Sequence, residues 1–302
     1  MANENGSSSP SNRLAERLLQ NSTKVLSGSP SVYKLPMKTE FKYKESMITR
    51  QSIGGGFSHP QSEKTEKVFL VVGARGSGKT TLINGMVNYI LRVEWKDDFR
   101  YKLASEDQTE SQGQCQTKDI TAYTFYPMEG SAVPYTFTII DTPGFRDSEE
   151  LEEDKTTKKQ IEEFLSLSPT GGIDHLDGIG FVTQASLTGL TPEQEYIFDI
   201  ILSIFGKDVV RNMFTMVTFA DCQSFPPVMD AIKKANIIPS QKYYKFNNLV
   251  LFAGNIEDTE IFNEKLWKMG FSSFKTFFKE LETSESVSLR FTAEVLKENG
   301  KR

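Results

Sequence analysis

With 302 residues, 38% of them hydrophobic, and a net charge of −5, the chain has the size of one large domain or two small ones and gives no electrostatic ground for a nucleic-acid partner. Its two cysteines, Cys115 and Cys222, exclude a disulfide framework and point to a reducing compartment. No apolar run approaches the ~20 residues of a membrane span, and the N-terminus has neither a secretory h-region nor a glycine after Met1, so a cytoplasmic protein without a membrane segment is expected.

Residues 1–63 are polar and are expected to form an N-terminal arm, partly disordered. Within it, Asn12 to Gln20 carries Leu14, Leu18 and Leu19 at helical spacing behind Ser11 as a cap. Val32 to Met37 reads as an extended stretch and Ser52 to Ser58 as a linker. The arm either stays loose or docks, on the body or on a partner. The globular part is expected over 64–285, followed by a short tail, 286–302.

Val68-Phe-Leu-Val-Val72 predicts a buried strand and Thr81 to Ile90 a helix. Between them stands Gly73-Ala74-Arg75-Gly76-Ser77-Gly78-Lys79-Thr80, which fits the phosphate-loop pattern in the strand–loop–helix context that the motif requires. Glycines let successive N–H groups and the helix N-terminus close on an anion. Lys79 then reaches the β- and γ-phosphates, the Thr80 hydroxyl is a Mg²⁺ ligand, and Thr81 completes the phosphate contacts of the helix start.

After a polar stretch, Glu94 to Asp119, the run Thr121 to Met128 alternates as a strand does; the Glu129-Gly-Ser131 turn pairs it with Tyr135 to Ile140 as a hairpin. Asp141-Thr-Pro-Gly144 follows directly. An acid there holds Mg²⁺ and Gly144 offers its N–H to the γ-phosphate. A threonine that closes on Mg²⁺ is expected between the first helix and the hairpin. Thr117 is the first candidate for this catalytic and metal role, and Thr121 the second.

Glu149 to Ser166 is a charged surface helix with a thin apolar stripe. A strand over Asp177 to Thr183 precedes Thr191-Pro-Glu-Gln194, a capping box with proline at the first helical position; the helix runs to Phe205 and stops at Gly206. Met213 to Phe219 is a strand, Pro226 to Ala235 a helix, and Tyr243 to Phe252 a strand interrupted at Asn247-Asn248. The aromatic stripe from Phe262 to Leu281 reads as core packing. The alternation predicts an α/β, three-layer domain with a mostly parallel six-stranded sheet and one antiparallel edge strand. For the base, Thr218-Phe219-Ala-Asp221 follows a strand, with Asp221 as the carboxylate that accepts from guanine. Phe219 either stacks on the purine or belongs to the core, and Asn247 and Asn248 either cap the base or simply form a turn.

In order and spacing these motifs resemble the septin-like group of Ras-superfold GTPases, closest to the immunity-associated GTPases (GIMAP group). Gly78-Lys-Thr-Thr-Leu, the stretch from Gly178-Ile-Gly-Phe-Val-Thr-Gln through Leu190-Thr-Pro-Glu-Gln194 to Phe205-Gly-Lys-Asp208, and Phe246-Asn247-Asn248 carry the resemblance, over residues 64–282. It implies a G domain, GTP or GDP with Mg²⁺, and a homodimer across the nucleotide face. Two departures stand out: Phe219 replaces a charged residue of that group, and Phe145 stands where a water-positioning Gln is expected.

A slow GTPase switch follows, accelerated by a partner in trans; Arg75 and Arg146 either serve a facing protomer or are solvated surface residues. Two other readings stay open: a scaffold that binds nucleotide without turning it over, and an ATP-using phosphate-loop enzyme.

Overall fold

The computed structural model describes residues 13–43, 48–54, 66–103, 119–145, 151–166, 173–222, 225–238, 242–254 and 259–289. In chain order the elements begin with α1 (Leu14–Leu19), β1 (Thr23–Leu26), β2 (Ser31–Lys34), β3 (Lys38–Tyr43) and β4 (Ile48–Ile53). Next come β5 (Glu66–Gly73), α2 (Lys79–Ile90), β6 (Phe99–Lys102), β7 (Ile120–Phe125), β8 (Thr136–Asp141) and α3 (Leu151–Ser166). The chain continues with β9 (His175–Leu176), β10 (Gly178–Gln184), α4 (Pro192–Phe205), β11 (Met213–Thr218), α5 (Pro227–Ala235) and β12 (Tyr243–Lys245), and closes with α6 (Glu260–Glu282) and β13 (Val287–Ser288).

The main sheet has eight strands in the order β12-β11-β10-β5-β8-β7-β4-β3. From β12 to β8 every pair is parallel; β7 runs antiparallel to β8 as the second arm of the expected hairpin. These six strands are the ones the sequence predicts. The other two, β4 and β3, come from the N-terminal arm: β4 lies parallel to β7, and β3 antiparallel to β4. The described part of the arm is therefore docked on the body. Ser11 and most of the expected linker lie outside the described residues, and the N-cap of α1 is Arg13.

Burial on both sides explains the unbroken apolar run of β5. Phe69 and Val71 face a core made with α2 and α6, while Val68, Leu70 and Val72 face a second core under α4 and α5. The aromatic stripe of α6 fills the first core, with the Phe277 ring 4.8 Å from that of Phe69 in an edge-on contact. Phe262, in the first turn of α6, stays exposed instead. The Thr191–Gln194 capping box forms as expected, Gln194 N donating to Thr191 Oγ1 and Thr191 N to Gln194 Oε1.

At the far end of the sheet lies a buried polar centre. Lys67 Nζ stands 2.9 Å from Asp177 Oδ1, which also accepts from Ser286 Oγ at 2.7 Å; Val68 N–H donates to Asp177 Oδ2. It holds the segment leading into β13, which pairs with β9, so part of the expected tail is docked.

Candidate functional site

Strand order reverses at β5, whose neighbours are β8 on one side and β10 on the other. Open α/β sheets bind ligands outside the carboxyl ends of the strands at such a point. The phosphate loop follows β5 there, Asp141 ends β8, Gln184 ends β10, Thr218 ends β11, and Phe246–Asn248 follow β12.

The loop turns through Gly76 and Gly78 at φ +74° and +88°, left-handed positions that favour glycine; Gly78 is the N-cap of α2. Three elements pin the loop. The Thr218 hydroxyl donates to Ser77 O at 2.6 Å, Gln184 Nε2 donates to Gly76 O at 3.3 Å, and Arg75 N–H donates to Phe145 O at 2.7 Å. Phe145 N–H returns a bond to Gly73 O. Arg75 and Gly76 are exposed, Ala74 and Thr81 partly so, and Ser77 is buried.

Lys79 is only 7% exposed, and its ammonium donates to Gly73 O at 3.0 Å and Ala74 O at 3.1 Å. Burial pushes its pKa down to about 8, opposed by the nearby charge of Asp141. Asp141 is itself buried, and Gly144 packs so closely that an added Cβ would lie 2.9 Å from Arg75 Cα and 3.0 Å from Lys79 Nζ. Thr142 turns away from the site and donates its hydroxyl to Val71 O, holding the acid loop on β5. Lys79, Thr80, Asp141 and Gly144 thus converge at one end of the sheet.

Of the two candidate threonines, Thr117 lies outside the described residues. Thr121 sits inside β7, paired across to Asp141 on β8 and to Thr49 on β4, so it is fixed in the sheet. Arg146 also lies outside the described residues.

On the base side, Ala220 N–H donates to Phe246 O, and Asn247 Nδ2 donates to Ala220 O at 3.0 Å, which laces the Asp221 loop to the end of β12. Asp221 is exposed beside this junction. Phe219 takes a left-handed backbone, φ +52°, and is 43% exposed, with ring atom Cε2 3.5 Å from where a Cβ on Gly78 would stand. It is therefore not a core residue. Asn248 turns towards α2, where its Oδ1 closes on Gly85.

A nucleotide and Mg²⁺ fit these residues. A desolvated ammonium stands near the Asp141 carboxylate, and buried Asn247 Oδ1, beside the Asp221 loop, finds no protein partner. Gln184 and Thr142 are the residues that sequence reading missed. Their position, at or just after the carboxyl end of a central strand, was the available signal. Among the described residues, no helix is long and apolar enough to cross a membrane.

Fold and site define an α/β phosphate-loop domain. The family model described as Septin matches residues 64–166, the stretch from the phosphate loop through the acid loop, and there the chain is septin-like. No curated protein matches the chain. Among solved structures, Toc33 from Arabidopsis thaliana with Mg²⁺ and GMPPNP is similar at 14% identity, with 75% of this chain and 89% of that chain covered and a TM-score of 0.42. The same protein with GDP and Mg²⁺ gives 14% identity, 76% and 89% coverage, and 0.42. A structure of the chloroplast translocon components atToc33 and psToc159, described as showing that dimerization is important for GTPase activity, gives 16% identity, 70% and 84% coverage, and 0.40. At such identities and scores the likeness assigns no residue role here.

Proposed function

We propose that this chain is a guanine-nucleotide switch protein of septin-like type, closest to the immunity-associated GTPases, which binds GTP with Mg²⁺ and hydrolyses it slowly. The observation that carries this reading is the convergence of buried Lys79 and Asp141 with Gly144 at the switch point of the sheet. Thr80 and Asp141 would hold Mg²⁺, with Thr117 as a further ligand; the ion would neutralise charge on the β- and γ-phosphate oxygens. Lys79 places its ammonium on the same oxygens, and Gly144 directs its N–H to the γ-phosphate. Asp221 accepts from guanine, and the Phe219 ring covers the base. Titrating GTP and ATP into wild type and Asp221→Ala tests the base assignment: an unchanged GTP preference in the variant would defeat it.

Slow turnover follows from Phe145. The side chain in the place of a water-positioning Gln is 1% exposed, and its backbone is bridged to Ala74 of the phosphate loop. This favours acceleration by a facing protomer, to which exposed Arg75 is available, and the exposed Phe219 beside Gly78 suits a homodimer across the nucleotide face. Light scattering with GDP and with a non-hydrolysable GTP analogue, beside turnover per protomer across a wide concentration range, tests the dimer. A flat rate and an unchanged mass would remove it.

The same locked Phe145 favours a second reading, a scaffold that keeps its nucleotide. Purified protein holding unhydrolysed GTP for days would select it. In both readings the setting is a reducing cytoplasm, a reading that rests on the two cysteines of the sequence.

A further inference from the structure

The N-terminal arm touches both halves of the site through intermediates. Its strand β2 lies parallel to β6 from Ser31 beside Phe99 to Lys34 beside Lys102. Strand β6 is in turn bound to α2, the helix that opens with Lys79 and Thr80. Asn88 Nδ2 donates to Tyr101 O at 2.8 Å, Tyr101 N–H donates to Asn88 Oδ1 at 2.9 Å, and Leu103 N–H donates to Asn84 Oδ1 at 3.0 Å. Both asparagines are buried, so these bonds hold α2 and β6 as one body.

Further along the same arm, β4 lies parallel to β7 from Ile48 beside Ile120 to Ile53 beside Phe125. Strand β7 is paired to β8, and its Thr121 stands across from Asp141. Two strands of the arm, β2 and β4, therefore join, through β6 and β7, the element that carries Lys79 and Thr80 to the element that carries Asp141. The arm's anchor is α1. Arg13 bridges Asp97 at 2.6 Å and Glu94 at 3.0 Å, Arg17 donates to Glu129 O at 2.7 Å, and the Tyr101 hydroxyl donates to Ala15 O. Leu14, Ala15, Val32, Leu35, Ile48 and Ile53 are buried along it.

We infer that the arm is a strap between the elements that carry the two halves of the site, so that its docking and the occupancy of the site by Mg²⁺ and a nucleoside triphosphate favour each other. The inference rests on the nucleotide reading above. A ligand that holds Lys79, Thr80 and Asp141 at one spacing stabilises the strap spanning those elements. By linkage, the docked strap tightens the ligand by the same factor.

Amide hydrogen exchange on the full chain tests this, with and without Mg²⁺ and a non-hydrolysable GTP analogue. The expected result is slower exchange, by ~5-fold or more, over 31–35 and 48–53 together with protection of 73–81. Arg13→Ala with Arg17→Ala, substitutions at the strap's surface anchors, should speed release of a fluorescent GTP analogue by ~5-fold while the far-ultraviolet spectrum stays that of the folded chain. Protection of 73–81 with exchange over 31–35 and 48–53 unchanged would overturn the strap and leave the nucleotide reading standing. Absence of protection at 73–81 would overturn that reading and the strap with it.

Discussion

The Thr218 hydroxyl donates to the carbonyl of Ser77, 141 residues earlier in the chain, at 2.6 Å in a buried setting. The end of β11 is thereby fastened to the phosphate loop, which ties the proposed base side of the site to its phosphate side. Thr218→Val keeps the shape and leaves Ser77 O buried without this donor, at a cost of ~1–3 kcal/mol. Nucleotide affinity should fall by ~10-fold, whereas Thr218→Ser should bind as wild type does. Titration with a fluorescent GTP analogue measures both; equal affinities in the three proteins would show that the fastening does not matter.

Gly144 has no room for a side chain: a Cβ would meet Arg75 Cα, Arg75 N and the Lys79 ammonium at 2.9 to 3.2 Å. Backbone cannot yield as a flexible side chain does, so Gly144→Ala must push the acid loop off the phosphate loop, at ~1–3 kcal/mol. Triphosphate affinity should drop by at least ~10-fold and diphosphate affinity by less if, as proposed, the displaced N–H faces the γ-phosphate. Calorimetric titration with GDP and with the GTP analogue separates the two, and an equal loss for both would argue against that placement.

The parts of this molecule that were legible in the sequence are those where local chemistry and tertiary role coincide. The phosphate loop, the hairpin before Asp141 and the Thr191–Gln194 capping box are each written within a few consecutive residues. The arm strands were not legible for a physical reason. β3, Lys-Thr-Glu-Phe-Lys-Tyr, is an edge strand whose charges face solvent, and β4 carries apolar residues only at Ile48 and Ile53. Their order comes from pairing with β7, which local periodicity does not show. The Lys67–Asp177 centre joins residues 110 apart, and Asn247 is drawn to Ala220 O, so the strand expected over Tyr243 to Phe252 ends at Lys245 and gives way to a 3₁₀ turn.

Phe219 combines a left-handed backbone with an exposed ring beside Gly78. A non-glycine residue in that region is strained by ~1–2 kcal/mol, so Phe219→Gly should raise the melting temperature of the free protein. It also removes the ring, and loss of stacking on the base should weaken GTP by ~0.5–1.5 kcal/mol. Stability and affinity then move in opposite directions. Thermal melts and titrations on Phe219→Gly and Phe219→Ala check this; a glycine variant that binds GTP as wild type does would free the ring of any role with the base.

His175 links stability to pH. Its Nε2 lies 3.3 Å from Asp177 Oδ2 and its Nδ1 2.7 Å from Asp174 Oδ1. The bond to Asp177 first, opposed by burial and aided by Asp174, raises its pKa from 6.5 to about 9. Against burial, bonds from His175, Val68 N–H, Ser286 and Lys67 hold Asp177 below the usual carboxylate range, so it stays ionised throughout this window. A raised folded pKa gives stabilisation that is complete below pH 6.5 and lost as pH climbs through 9. Solvent at this half-buried imidazole reduces the effect to ~1 kcal/mol, or ~2–4 °C. Lys79, with its pKa pushed down to about 8, contributes the opposite slope above that pH, so the measurement is a difference. Melting temperatures of wild type and His175→Gln should converge as pH rises from 6.5 to 9.5, the variant being less stable at the lower end. A gap between the two that stays constant across that range would show that the imidazole does not titrate against Asp177.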